Sequence, residues 1–394
     1  MTGSIEQQFL VNNRQAYSCT GGLIDAQQPS EPVYLFCAEH LQRRARQFQD
    51  GFTGMVSYAV KANPEPCVLQ TLISGGIRHF DVASIEEVRT VLTLCPTARL
   101  HFNNPVKATE AVREAYARHG VRSFALDEMS ELEKIQRATG GDNDVTYTVR
   151  FKLAHNGAAY DFGSKFGAPM DQAARLLREI ALRGARPALT FHPGSQCTDP
   201  QMYARYLEAA SEIIDMAGVT PEFVNVGGGF PVQYLGAQVP QLEAYFDTIA
   251  DTAARCLPAN VPLMCEPGRA MVADCVSLLT RVIHVRDCGH SVFVNDGVYG
   301  GLQEQSIVDL QAPARAWRGG RTLPGEPTPY RIFGPTCDPV DRMQREVNLP
   351  SGLREGDYIE FGLLGAYGSA TSTSFNGFRS GDYRDVVVGT EFNP

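Results

Sequence analysis

The sequence predicts an α/β protein, a (β/α)8 barrel followed by a β-rich second domain, and three observations carry that expectation. From about residue 55 to about residue 271 one unit recurs: a short β-branched or aromatic run, a turn, then an amphipathic stretch. The unit occurs eight times, the number that closes a parallel barrel. After Arg269 the helical period fades, and strand-like runs separated by Gly, Pro and Asn turns replace it. An open doubly wound sheet is the competing arrangement, but it seldom needs eight regular units.

The eight strand candidates are Met55 to Ala62, His79 to Ser84, Arg99 to Asn104, Ser123 to Asp127, Val145 to Lys152, Ala188 to Pro193, Phe223 to Gly228 and Pro262 to Glu266. Between them Ile85 to Leu94, Ala108 to His119 and Gln172 to Arg183 place apolar residues three and four apart, as a helix packed on one side must. Ser84, followed by Glu86 and Glu87, and Asp171 are the expected N-caps. Beyond the barrel the strand-like runs are Val276 to Val285, Ser291 to Val294, Tyr330 to Phe333, Tyr358 to Phe361 and Asp385 to Val388. Gln311 to Pro329, rich in Pro, Arg and Gly, reads as a surface loop. The expected division is an N-terminal segment over residues 1–40 that joins the β-domain, a barrel over 41–275, and the β-domain over 276–394.

Composition sets the outer limits. A chain of 394 residues with 43% hydrophobic and 20% charged residues can bury a large core and needs more than one small domain. Asp and Glu outnumber Lys and Arg by 44 to 35, a net charge of -9, which gives no general attraction for nucleic acid or anionic membranes. The ten cysteines are scattered from Cys19 to Cys337 and never form C-x-x-C, so they read as reduced thiols. Neither a signal-peptide-like start nor a membrane-length apolar run is visible, and a cytoplasmic protein is expected.

Barrel chemistry lies where strands end at the carboxyl face. There the sequence places Lys61, Asp81, Asn104, Asp127, Arg150, His192, the run Gly227 to Gly229, and Glu266 with Arg269. Lys61 closes an apolar strand that stops at a proline, a partly desolvated setting in which a neutral, nucleophilic amine becomes accessible. Taken alone it reads more readily as a solvated lysine at a strand end. Three glycines after a strand can close on a phosphate, although a tight surface turn looks the same. In CEPGR, Glu266 and Arg269 could reach a ring nitrogen and a phosphate, or simply pair with each other. His192 offers a flat ring or a core histidine, and Ser195 a phosphate donor. Together these residues match what pyridoxal phosphate requires: a lysine for the aldehyde, a carboxylate for the ring nitrogen, a ring face and a phosphate turn. No metal is expected, because the histidines never pair at ligand spacing.

The segments YAVKANP, FDVAS with Glu87, SKFGA, FHPGSQ, VGGGFP, CEPGR, VNDGVYG, FGPTCDPVD, GAYG and FNGF run from near Tyr34 to Phe378. Together they resemble the fold-type III pyridoxal phosphate decarboxylases that act on ornithine, lysine, arginine and diaminopimelate, and the ornithine/lysine branch most. The resemblance implies that Lys61 forms the Schiff base, that His192 stacks on the ring and that Glu266 keeps the ring nitrogen protonated. It implies that Ser195, Gly228, Gly229, Arg269 and Tyr367 bind phosphate, with Gly268 beside them, and that Asp81, Glu87 and Arg150 form a polar shell. It also implies a homodimer whose GPTCD segment completes the neighbouring site. There Cys337 would protonate the carbanion, Asp338 and Asp309 would hold the distal amine, and Phe375 and Asn376 would line the cavity. By its own surroundings Cys337 reads as an ordinary buried thiol.

Pro193, Val308 before Asp309, and Gly301 to Ser306 depart from the family pattern and leave substrate length open. The expected reaction is decarboxylation of L-ornithine to putrescine, or of L-lysine to cadaverine, in polyamine biosynthesis. Diaminopimelate decarboxylation would want an arginine for the distal carboxylate, and Arg315 is a remote candidate. A non-catalytic regulator would not need Lys61, Arg269 and Cys337. A cofactor carrier would have no use for the β-domain, and a racemase would need a tyrosine base that cannot be placed.

Overall fold

The computed structural model describes residues 16–153, 165–286, 289–308 and 310–392. Two compact units emerge, one of residues 45–232 and 238–270, the other of residues up to 44, 233–237 and from 271 onward.

In the first unit eight parallel strands close into a barrel, because each βα unit returns the chain to the same edge in the same sense. They are Met55–Ala59, His79–Val82, Arg99–Phe102, Ser123–Leu126, Thr146–Arg150, Arg186–Thr190, Val224–Asn225 and Leu263–Cys265. Closure is the pairing of Met264 with Met55 and Cys265 with Val56. Every expected strand is present, but most stop short at the carboxyl end. Lys61 therefore stands in a 3-10 turn, Val60–Ala62, beyond its strand. His192, Gly227 and Glu266 likewise follow theirs. A parallel barrel holds its mouth residues on loops, where their side chains are free of the sheet's alternation.

The helix Ile85–Leu94 begins as expected, with Ser84 Oγ accepting the Glu87 N–H at 3.2 Å. Glu87 Oε2 in turn accepts the Ala83 N–H at 2.6 Å, a reciprocal cap that orients the Glu87 carboxylate. Asp171 is not an N-cap. The helix starts two residues earlier than expected, at Met170 behind Pro169, and Asp171 lies in its first turn, where its charge favours the helix dipole. Tyr58, Phe80, Phe102, Phe124 and Tyr147 are fully buried and fill the unit's core.

In the second unit the long strand Val276–Arg286 pairs antiparallel with Val33–Phe36, Ser291–Val294 and Tyr358–Phe361. The N-terminal segment thus enters this sheet through Val33–Phe36. Gln311 to Pro329 is not a plain surface loop. Ala314–Arg318 pairs with Tyr358–Phe361 and returns through Gly319 and Gly320 to Arg321–Thr322. The hairpin is held because Trp317 is buried and its Nε1 donates to Glu360 Oε2 at 3.0 Å. Glu360, wholly buried, also accepts from Ser277, Thr20 and Thr390, so its charge is spread over four donors. Val347–Pro350 is a strand that patterning missed, and the last strand is Tyr383–Val386, leaving Val387 and Val388 exposed. Among the described residues no helix is long and apolar enough to cross a membrane.

Candidate active site

The barrel mouth gathers six of the expected side chains around one charge network. Lys61 acts electrostatically on Asp81, Glu87, His192 and Glu266, and Arg150 on Asp81, His192 and Glu266. Lys61 itself is exposed in this chain, not partly desolvated as its apolar strand suggested, because the turn carries it past the last rung of the sheet. Burial pushes Glu87 up to about 7, an effect that Asp81 strengthens and that the Ala83 N–H and Lys61 oppose. Asp81 is raised by burial too, against the pull of Lys61, Arg150 and a hydrogen bond from Asn103. Asp127 instead accepts the Gly167 N–H at 2.8 Å and lends its charge to Arg150.

Glu266 sits at the centre. Burial drives its carboxyl up to about 8 and the nearby Asp81 adds to this, while the Asn225 amide, Lys61 and Arg150 favour the charged form. Its Oε1 accepts from the side-chain amides of both Asn103 and Asn225, the latter at 2.5 Å. Neither asparagine is among the residues expected at the site. Asn104 is, but the strand ends at Phe102, and it is Asn103 that reaches Glu266. Asn104 offers its backbone carbonyl to the buried Lys107 Nζ at 2.9 Å. The Asn-Asn pair and an asparagine two residues before the glycine run were the available signals.

The glycine run is demanded by space. A Cβ at Gly227, Gly228 or Gly229 would lie 2.2, 2.7 or 2.4 Å from the backbone oxygens of Phe191, Glu266 and Gly194. Gly227 and Gly229 also hold φ of +68° and +95°. The turn is braced by Tyr203, whose hydroxyl donates to the Gly228 carbonyl at 2.8 Å, and by the Cys197 N–H on the Gly229 carbonyl at 2.9 Å. Ser195, half-buried, lies on the loop between His192 and Cys197. Gly268 packs against Ala59 and Ala62, two residues before and one after Lys61, and leads into the buried Arg269. A lysine, an anchored carboxylate, a flat imidazole, a backbone-only glycine turn and a buried arginine form a donor set that fits pyridoxal phosphate.

The second unit brings together another group of expected residues. Asp338 Oδ2 accepts the Tyr299 hydroxyl at 2.6 Å, a bond that, with the Val340 N–H, holds its carboxyl below the usual range. Tyr299 packs on Phe375 with ring centroids 4.5 Å apart, and Cys337 Sγ lies 3.5 Å from Asn376 Oδ1. Cys337 is exposed, not an ordinary buried thiol, because the GPTCD segment runs as a loop at the surface of this unit. Tyr299, the member that joins Asp338 to Phe375, carried no separate signal in the sequence. Tyr367 lies in the same unit at a left-handed φ of +58°. Asp309 lies outside the described residues.

Residues 38–273 match the family model described as pyridoxal-dependent decarboxylase, pyridoxal binding domain. The chain is 31% identical over 355 residues to the lysine/ornithine decarboxylase of Selenomonas ruminantium, covering 88% of this chain and 85% of that one. It is also 31% identical over 352 residues to antizyme inhibitor 2 of Xenopus laevis, covering 82% and 73%. Among solved structures, the lysine/ornithine decarboxylase of Vibrio vulnificus complexed with cadaverine superposes with a TM-score of 0.81 at 28% identity, covering 92% of this chain and 97% of that one. With the family model spanning the whole barrel and the motifs of both units retained, the chain belongs to the pyridoxal-dependent decarboxylases, the family its sequence motifs resemble.

Proposed function

We propose that this protein removes the α-carboxylate of a basic L-amino acid, L-ornithine or L-lysine, and releases the corresponding diamine. The observation that carries the reading is Asp338: a carboxylate that accepts the Tyr299 hydroxyl and is held by it below the usual range, beside an exposed thiol and an aromatic wall. An anion so placed suits the distal ammonium of a diamino acid. The relatives named lysine/ornithine decarboxylase support the same substrate class.

Bound pyridoxal phosphate supplies the electron sink for the carbanion left by CO2. Lys61 would hold the cofactor through its amine. Glu266 keeps a proton on the ring nitrogen, and neutral His192 covers one ring face. Ser195, Gly228, Gly229, Arg269 and Tyr367 hold the phosphate, with Gly268 keeping the backbone close. Asp81, Glu87 and Arg150 set the charge around Lys61. Cys337 delivers the proton to Cα. In this reading a homodimer is the working form, with Cys337, Asp338, Phe375 and Asn376 of one subunit serving the barrel of the other.

The test is CO2 release from L-ornithine, L-lysine, L-arginine and meso-diaminopimelate, with and without added cofactor. Turnover of ornithine or lysine that depends on cofactor supports the reading; preference for diaminopimelate overturns it. The likeness to antizyme inhibitor 2 favours a second reading, a regulator without turnover. Cofactor binding with no CO2 from any of the four would favour it.

A further inference from the structure

Glu266 does not stand alone at the base of the barrel mouth. Its Oε1 is occupied twice, by Nδ2 of Asn103 from the third strand's end and Nδ2 of Asn225 from the seventh. Its Oε2 takes no hydrogen bond among the described residues. Asn225 is wholly buried, and its Oδ1 accepts the Gly227 N–H at 2.9 Å, so one amide joins the glycine turn to the carboxylate. Asn103 also donates toward Asp81, and its Oδ1 is buried without a partner among the described residues. Two amides from opposite sides fix the rotation of the carboxylate as well as its position.

We propose that Asn103 and Asn225 are positioning residues that clamp Oε1 of Glu266, leaving Oε2 as the acceptor for the protonated ring nitrogen of pyridoxal phosphate. The inference rests on the cofactor and ring-nitrogen roles given above and concerns the other residues needed to make them work. The Asn225 amide favours the anionic carboxylate, against the burial and the Asp81 charge that favour the protonated one, and Asn103 donates to the same oxygen from across the barrel. A charge-assisted bond to a buried carboxylate also fixes geometry more tightly than a neutral one. Asn225 carries a second consequence: the phosphate turn and the ring-nitrogen carboxylate move together, so the cofactor's two ends are held at one fixed separation.

The experiment uses the full chain loaded with pyridoxal phosphate and reads its absorbance spectrum against pH, together with the cofactor dissociation constant. Asn225→Asp preserves shape and the acceptor for Gly227 while removing the donor; Asn103→Ala removes the other. Each variant should move the spectral transition assigned by Glu266→Gln by about one pH unit or more, equivalent to about tenfold in proton affinity, and weaken cofactor binding. In the Glu266→Gln background the same two substitutions should leave the spectrum unmoved, because the clamp has nothing to hold. Unshifted titration in both single variants at unchanged melting temperature overturns the proposal. So does an equal shift in the Glu266→Gln background, or failure of the parent protein to bind cofactor. A clamp that behaves as expected in a protein releasing no CO2 from any amino acid would overturn the proposed function and leave the clamp standing.

Discussion

The backbone N–H of Gly194 donates to Nδ1 of His192 at 3.1 Å, so the neutral imidazole carries its proton on Nε2. Burial, then the charges of Arg150 and Lys61, hold the ring well below the usual histidine range. The ring is therefore an uncharged plate across the working pH range. His192→Phe should bind pyridoxal phosphate nearly as well as the parent. His192→Ala should bind it roughly 3- to 10-fold more weakly, the worth of one aromatic face. Equilibrium dialysis decides this, and equal losses in both variants would remove stacking from the account.

The Tyr299 hydroxyl holds the Asp338 carboxyl below the usual range. Tyr299→Phe should raise the Asp338 pKa toward an ordinary carboxylate, since the hydroxyl is the largest influence lowering it. The acid limb of kcat/KM should then move to higher pH, with KM for the basic amino acid raised several-fold. Cofactor affinity should be unchanged. Asp338→Asn should raise KM further, and a fall in cofactor affinity alongside it would place Asp338 elsewhere.

Gly229 is confined by both space and angle. Gly229→Ala would set a Cβ 2.4 Å from the Gly194 oxygen at a φ of +95°. Cofactor affinity should fall at least about tenfold and the melting temperature should drop, because the clash is with backbone. Gly236→Ala is the control: its φ is +74°, but nothing lies within 4 Å of the added atom. It should cost only about 1 kcal/mol of left-handed strain and leave cofactor binding intact.

A histidine relay runs between neighbouring strands of the barrel. His79 Nδ1 lies 3.0 Å from His101 Nε2, and His101 Nδ1 lies 3.0 Å from Ser123 Oγ. Burial, with the neighbouring His79 and Arg99, depresses His101 to about 3, and His79 is lowered as well by burial and Arg99. Below pH 6.5 the unfolded chain takes up protons that the folded one refuses, so stability is full above 6.5 and declines toward 3. The slope is about 1.4 kcal/mol per pH unit for each histidine that differs. Urea midpoints from pH 7.5 to 5 should fall in the parent and fall less steeply in His101→Asn.

Much of this molecule can be read along the chain. The eight strands and the helix Ile85–Leu94 follow from apolar spacing, and Ser84 from its place before that helix. Lys61, Asp81, Arg150, His192 and Glu266 stand out because they are polar residues ending apolar runs. Pro, Arg and Gly between Gln311 and Pro329 concealed a hairpin, since composition does not reveal that Trp317 finds Glu360 43 residues away. Cys337 was equally opaque, because exposure of a lone thiol is decided by what packs around it.

The barrel, the polar residues at its mouth and the family are thus specified by local period and by short motifs, which survive translation into structure because each lies within one turn or one strand. The choice of Asn103 over Asn104, the pairing of Asn103 with Asn225 on one carboxylate oxygen, and the tie of Tyr299 to Asp338 came only with folding. Each joins residues 39 or more positions apart, or depends on the residue at which a strand stops. Those endpoints are set by hydrogen bonds to neighbouring strands, and no linear spacing records them.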